Sequence, residues 1–214
     1  AWFWPPWAWP WGTGSRAERT RPSLSKTRDF QFQDGQGFWV FGYGSLMWDP
    51  GFDFAEKRVG LLRGYHRSFC LYSHRYRGTP EKPGLVLGLD RGGCCRGIVY
   101  RVAARNARAT WDYLWEREMD LYSYQARHVH IATDKGTVDA VAYVVRRDHK
   151  QYAGKLSPDE TLKCVVQGRG GGGTGFDYLT NTVRHLDELG LPDGPLHDLL
   201  RLARQKAGEH LLKP

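Results

Sequence analysis

Cysteine is scarce in this sequence and never paired at metal-binding or redox spacing: Cys70, Cys94, Cys95 and Cys164 contain no C-x-x-C. A zinc ribbon and a thioredoxin-type motif are thereby excluded, and free thiols fit a reducing, cytoplasmic setting. No apolar run approaches the ~20 residues of a membrane-spanning helix, so the chain reads as soluble with no membrane partner. Gly168, Gly170 and Gly173 match G-x-G-x-x-G, but a helical pattern precedes them where a strand is needed, and no Gly-Lys-Ser/Thr follows. Dinucleotide and Walker-type sites are disfavoured, and the stretch reads as a flexible connection. Ser45 lies in Gly42-Tyr43-Gly44-Ser45-Leu46 rather than G-x-S-x-G, which argues against a serine hydrolase. His128 and His130 share a strand face without a carboxylate or cysteine to complete a metal set.

What is present suits one globular domain with an appendage: 214 residues, 41% hydrophobic and 25% charged. Ala1 to Gly12 hold five tryptophans and three prolines, without the basic and aliphatic regions of a signal peptide. Residues 1–37 read as a Trp/Pro-rich and polar leader outside the fold, and 38–212 as the folded domain. The net charge of +8 leaves +6 after the leader, a field suited to an anionic partner, whether nucleic acid or a small acidic metabolite.

Phe38 to Phe41 read as a buried strand entering a tight loop. Val59–Leu62, Arg67–Ser73, Gly84–Leu89, Gly97–Val102, Arg127–Ala132 and Val138–Val145 are further strand candidates, cut by turns such as Asp90-Arg91-Gly92-Gly93. The helical patterns come mostly later. Ser157-Pro158-Asp159-Glu160 is a capping box, Phe176 to Leu186 carry a second helix that Gly190 stops, and Leu196 to Ala203 suggest a third. The expectation is an α+β fold, a curved mixed sheet or small barrel of about six or seven strands flanked by helices.

Asn106 to Asp120 read as one more helix, capped by Asn106. At 100° per residue, Ala107, Trp111, Leu114 and Glu118 fall within about 60° of each other, which puts a carboxylate on the apolar stripe. Glu116 points the opposite way. Two readings of Glu118 stay open: an ion pair with a strand arginine, or a carboxylate whose raised pKa lets it exchange protons near neutral pH. The glycines of Gly42-Tyr43-Gly44-Ser45-Leu46 let successive backbone N–H groups converge on an oxygen, with the Ser45 hydroxyl beside them.

Ordered motifs then point to a family. Val40-Phe41-Gly42-Tyr43-Gly44-Ser45-Leu46-Met47-Trp48-Asp49-Pro50, Arg63-Gly64-Tyr65-His66-Arg67-Ser68-Phe69, Arg77-Gly78-Thr79-Pro80, Pro83-Gly84-Leu85-Val86-Leu87 and Trp115-Glu116-Arg117-Glu118-Met119 together resemble the ChaC-like γ-glutamylcyclotransferases over about residues 39–200. The resemblance implies a lyase that cleaves glutathione to 5-oxoproline and cysteinylglycine with no metal or cofactor. Glu118 would be its general acid/base, and Tyr43, Gly44, Ser45 and Leu46 would hold the γ-glutamyl group. Tyr152, in Tyr152-Ala153-Gly154-Lys155-Leu156, is similar to a tyrosine that the family places at the substrate pocket. Gly170 to Gly175 depart from the family's Gly-x-x-Gly-Pro-Asn. The basic surplus would attract the anionic tripeptide, with Arg77 and Arg67 as candidates for its glycine end. The expected partner is this small molecule and not a nucleic acid. Other γ-glutamyl amines, a non-catalytic γ-glutamyl-binding module and a nucleic-acid-binding module stand as alternatives.

Overall fold

The first strand shows why the chain curls. In β1, Phe38–Gly42, alternate side chains meet different layers: Phe41 packs inside a barrel, while Val40 packs outward under a helix. The computed structural model describes residues 35–119 and 122–211; the leader expected over 1–37 lies almost wholly outside the described residues. β1 is followed by a single 3-10 turn, Ser45–Met47, then β2 (Glu56–Ser73), β3 (Gly84–Val102), α1 (Ala104–Met119), β4 (Tyr124–Thr133) and β5 (Gly136–Val145). After these come α2 (Pro158–Gln167), the short β6 (Arg169–Gly170) and β7 (Gly173–Thr174), α3 (Gly175–Glu188) and α4 (Gly194–Leu211).

The five long strands close in the order β1-β3-β2-β4-β5, and a parallel pairing of β1 with β5 completes the barrel. All other pairings are antiparallel. β2 meets β4 only from Gly60 to Leu62, so the far halves of β2 and β3 leave the barrel as a two-stranded arm. The fold is α+β as expected, with fewer barrel strands. Val59–Leu62 and Arg67–Ser73 belong to one strand, and Gly84–Leu89 and Gly97–Val102 to another. Gly64, Gly92 and Gly93 take positive φ where the register of β2 against β3 shifts, so what reads as a turn is a bulge in a continuous ribbon.

The three larger apolar layers among the described residues lie in and around the barrel. Phe41, Leu62, Leu89, Val99, Val129 and Ile131 fill the barrel. Trp111 and Leu114 of α1 cover β1 and β5 through Val40, Val141 and Tyr143. Val165, Leu179, Val183, Leu186 and Leu200 of the last three helices cover the arm through Phe69, Leu85 and Leu87.

Ser157 caps α2 with both hydrogen bonds of the capping box, and Pro158 opens the helix. α1 differs from the expected start: it begins at Ala104, and the Asn106 N–H donates to the Ala103 carbonyl at 3.0 Å, inside the first turn. Gly168 to Gly175 are not a loose connection. β6 and β7 form a hairpin whose Gly171 and Gly172 amides donate to the carbonyls of Arg75 and Tyr76, both at 2.9 Å. Among the described residues, no helix is long and apolar enough to cross a membrane.

Candidate active site

The loop after β1 is held from four sides. Its turn begins with the Met47 N–H donating to the Gly44 carbonyl at 2.9 Å, which leaves the amides of Gly44, Ser45 and Leu46 outside the turn's own bonding. From β3, the Tyr100 hydroxyl donates to the Met47 carbonyl at 2.7 Å. From β2, Arg67 donates through Nε to the Tyr43 carbonyl and through Nη2 to the Arg96 carbonyl at 2.7 Å, while its Nη1 pairs with Asp193 at 2.8 Å. The Trp48 ring stacks on His185 of α3 with centroids 4.7 Å apart. Finally, Arg117 of α1 donates through Nη1 to the Asp49 carbonyl at 2.9 Å and through Nη2 to Ser45 Oγ at 3.0 Å.

Glu118 is the next residue of α1, at the end of the stripe formed by the buried Ala107, Trp111 and Leu114. Only 16% of its side-chain surface stays open, whereas Glu116 is exposed. Its Oε1 lies 3.5 Å from Arg117 Nε, so its ion-pair partner is its own helix neighbour rather than a strand arginine. Burial pushes the Glu118 carboxyl above the usual carboxylate range, and the Arg117 charge pulls it part of the way back.

Four tyrosines feel the charge of this carboxylate: Tyr43 of the loop, Tyr124 of β4, Tyr143 of β5 and Tyr178 of α3. Burial raises all four phenols, and the Glu118 charge adds to the rise at each of them. They therefore stay protonated and able to donate near neutral pH. The Tyr124 hydroxyl spends its proton on the Leu87 carbonyl at 2.8 Å. That of Tyr143, a residue only 1% exposed, is buried with no protein hydrogen-bond partner. The composition and spacing of β5 mark it only as a core strand, so no local signal sets Tyr143 apart.

The remaining expected residues have partners of their own. The Arg77 guanidinium lies 5.0 Å over the Tyr178 ring and donates to the Gly172 carbonyl, bracing the β6–β7 hairpin. Arg67 corrects its expectation: its side chain is 3% exposed and its donors are committed to the loop, to Arg96 and to Asp193, so it is a strut and not a free cation for a substrate's glycine end. The Tyr152 hydroxyl donates to Asp90 at 2.7 Å in a neighbouring network with Arg147. Cys70, 1% exposed, packs as a small hydrophobe in a cluster against which Tyr124 and Tyr152 both lie. Among the described residues, no three His, Cys, Asp or Glu side chains cluster as metal ligands.

The closed five-stranded barrel flanked by helices has a counterpart among solved structures. A glutathione-specific γ-glutamyl cyclotransferase from yeast superposes with a TM-score of 0.70 at 22% identity, over 79% of this chain and 96% of that one, and shares its fold. The family model described as ChaC-like protein matches residues 38–206. The glutathione-specific γ-glutamylcyclotransferase of Escherichia coli K12 is 33% identical over 195 residues, covering 91% of this chain and 84% of that protein. Human glutathione-specific γ-glutamylcyclotransferase 1 is 35% identical over 176 residues, covering 77% and 79%. The chain belongs to the ChaC-like family.

Proposed function

We propose that this protein cleaves the γ-glutamyl bond of glutathione by intramolecular cyclisation, giving 5-oxoproline and cysteinylglycine, with Glu118 as the general acid/base. The observation that carries this reading is the Arg117 guanidinium, which reaches Glu118 on one side and Ser45 of the Tyr43–Leu46 loop on the other. The buried carboxylate and the loop thereby meet the two sides of one guanidinium. The named activities of the relatives support glutathione as the substrate.

The substrate carries its own nucleophile, so the protein supplies geometry and protons. Glu118 accepts a proton from the α-ammonium, whose pKa near ~8 suits a carboxylate raised by burial. The freed amine attacks the γ-carbonyl carbon, and a nitrogen–carbon bond closes the five-membered ring. As the bond to the cysteinyl nitrogen breaks, Glu118 returns its proton to that leaving nitrogen, and the second proton of the ring nitrogen passes to the released amine, which departs as an ammonium. No water is consumed. Holding the glutamyl chain bent for the attack is the larger part of the task, because a near-attack geometry removes much of the entropic barrier.

The amides of Gly44, Ser45 and Leu46 hold the γ-glutamyl oxygens in this reading, with the Tyr43 and Tyr143 hydroxyls as further donors. Arg77 places a positive charge beside Tyr178, which suits a substrate of net charge −1. Tyr152 acts from the adjoining network through Asp90. The reaction belongs to residues 38–212. Purified protein incubated with glutathione should release equal amounts of 5-oxoproline and cysteinylglycine. Turnover of γ-glutamyl dipeptides at the same rate, with glutathione untouched, would transfer the reading to other γ-glutamyl amines.

A further inference from the structure

Between the solvated Glu116 and the buried Glu118, Arg117 is the side chain that the helical pattern leaves unexplained. It is 11% exposed and bonds both to the loop and within its own helix. Nη1 donates to the Asp49 carbonyl at 2.9 Å and to the Tyr113 hydroxyl at 2.7 Å, Nη2 donates to Ser45 Oγ at 3.0 Å, and Nε faces Glu118 at 3.5 Å. Asp49 and Ser45 belong to the loop that follows β1, and Tyr113 and Glu118 to α1. One planar fork thus bolts the helix to the loop at a fixed separation, which a flexible ammonium with a single nitrogen cannot reproduce.

The bond to Ser45 has a second consequence. A guanidinium has no acceptor, so the Ser45 hydroxyl can only receive from Arg117 and must aim its own proton elsewhere. Arg117 therefore fixes Ser45 as a donor.

We propose that Arg117 is a positioning residue for the cyclisation: it sets the distance between the Glu118 carboxylate and the loop that holds the γ-glutamyl group, and it orients the Ser45 hydroxyl toward the substrate. The inference rests on the function proposed above. Among the described residues, the titratable and charged groups that interact with the Glu118 charge are Arg117 from α1, Tyr43 from the loop, Tyr124 from β4, Tyr143 from β5 and Tyr178 from α3. The tyrosines are neutral near pH 7, which leaves Arg117 as the charge acting on Glu118 among the described residues.

The test compares the wild type with Arg117→Lys, Arg117→Met, Ser45→Ala and the Arg117→Lys/Ser45→Ala double variant, measuring kcat and KM for glutathione and the pH profile of kcat/KM. Arg117→Met leaves the burial of Glu118 uncompensated, so the acid limb of the profile should move up by about one pH unit. Arg117→Lys keeps the charge and loses the fork, so the limb should stay near its wild-type place while KM rises about tenfold. The double variant should be no worse in KM than the poorer single variant, because both act on one contact. An unmoved limb in Arg117→Met overturns the inference. So do a wild-type KM in Arg117→Lys and a double variant whose losses multiply, and these two hold if Arg117→Met does not fold. Wild-type protein that releases no 5-oxoproline overturns the functional reading and this inference with it, whereas an active wild type with any of the other results overturns the inference alone.

Discussion

Asp90 and Glu118 are both shielded carboxylates with an arginine beside them, and their pKa values move in opposite directions. At Asp90, burial is outweighed by hydrogen bonds from Arg147 and Tyr152, both at 2.7 Å, and from the Arg91 N–H at 2.8 Å, so the carboxyl is held below its ordinary value. At Glu118 the one cation beside it among the described residues stands 3.5 Å away with its other nitrogens committed to Ser45, Asp49 and Tyr113, and burial wins. A nearby positive charge does not by itself decide ionisation; the number of donors that reach the oxygens does. Asp90 is a finished structural joint. Glu118 is kept short of donors, the condition under which a carboxylate exchanges protons.

The largest effect should come from removing the under-supplied carboxylate. Glu118→Gln is expected to lower 5-oxoproline formation by at least ~10²-fold while the circular dichroism spectrum stays that of the wild type. Asp90→Asn should leave kcat within about tenfold and instead reduce unfolding free energy by about 1–3 kcal/mol, read by denaturant titration. If the two variants lose activity alike, the division between joint and reactive group is wrong.

Stability against pH sharpens the same contrast. The folded Asp90 pKa is depressed, so its contribution is present above the unfolded carboxylate pKa of about 3.9 and is lost as pH falls through the folded value. The folded Glu118 pKa is raised, so the folded state holds its proton more tightly, and stability falls as pH rises from the unfolded value of about 4.3 through the folded one. Near pH 7, Glu118→Gln should therefore be more stable than the wild type and Asp90→Asn less stable, with both differences closing in acid. Each unit of displacement is worth about 1.4 kcal/mol. Chemical denaturation at four or five pH values would reveal a shared sign and end the contrast.

Much of this was readable from local pattern, and the reasons for the exceptions are physical. Glu118 stands on an apolar stripe because helical periodicity is a local property, and the capping box at Ser157 and the strand at Phe38 are local in the same way. The supports of the loop are not. Arg67 bonds a carbonyl 24 positions away and an aspartate 126 away, and Arg117 bonds a serine 72 away. No spacing rule joins residues that only the closure of the barrel brings together. The continuity of β2 and β3 is hidden for another reason: Gly92 and Gly93 supply positive φ to a bulge as readily as to a turn. Tyr143 is legible as part of a core strand, and only the fold brings it and Tyr178 under the charge of Glu118.

Tyr152→Phe is expected to act more weakly. Its hydroxyl serves Asp90, so its loss should cost about 1 kcal/mol of stability and change kcat/KM by less than about tenfold. A loss in turnover as large as that of Glu118→Gln would merge the two regions into one site.

The smallest effect should follow removal of residues 1–37. β1 begins at Phe38, and the family match runs from 38 to 206, so both carboxylates and all their partners lie on the retained side of the cut. The leader's net charge of +2 is a minor part of the +8, and a net charge of +6 persists without it. Turnover of glutathione by the shortened chain should stay within about twofold of the full chain, and Glu118→Gln and Asp90→Asn should show their contrasting effects unchanged. A KM that rises while kcat is preserved would give the leader a part in capturing substrate. A fall in kcat would place it at the reacting centre, and the boundary of the catalytic unit would move to include it.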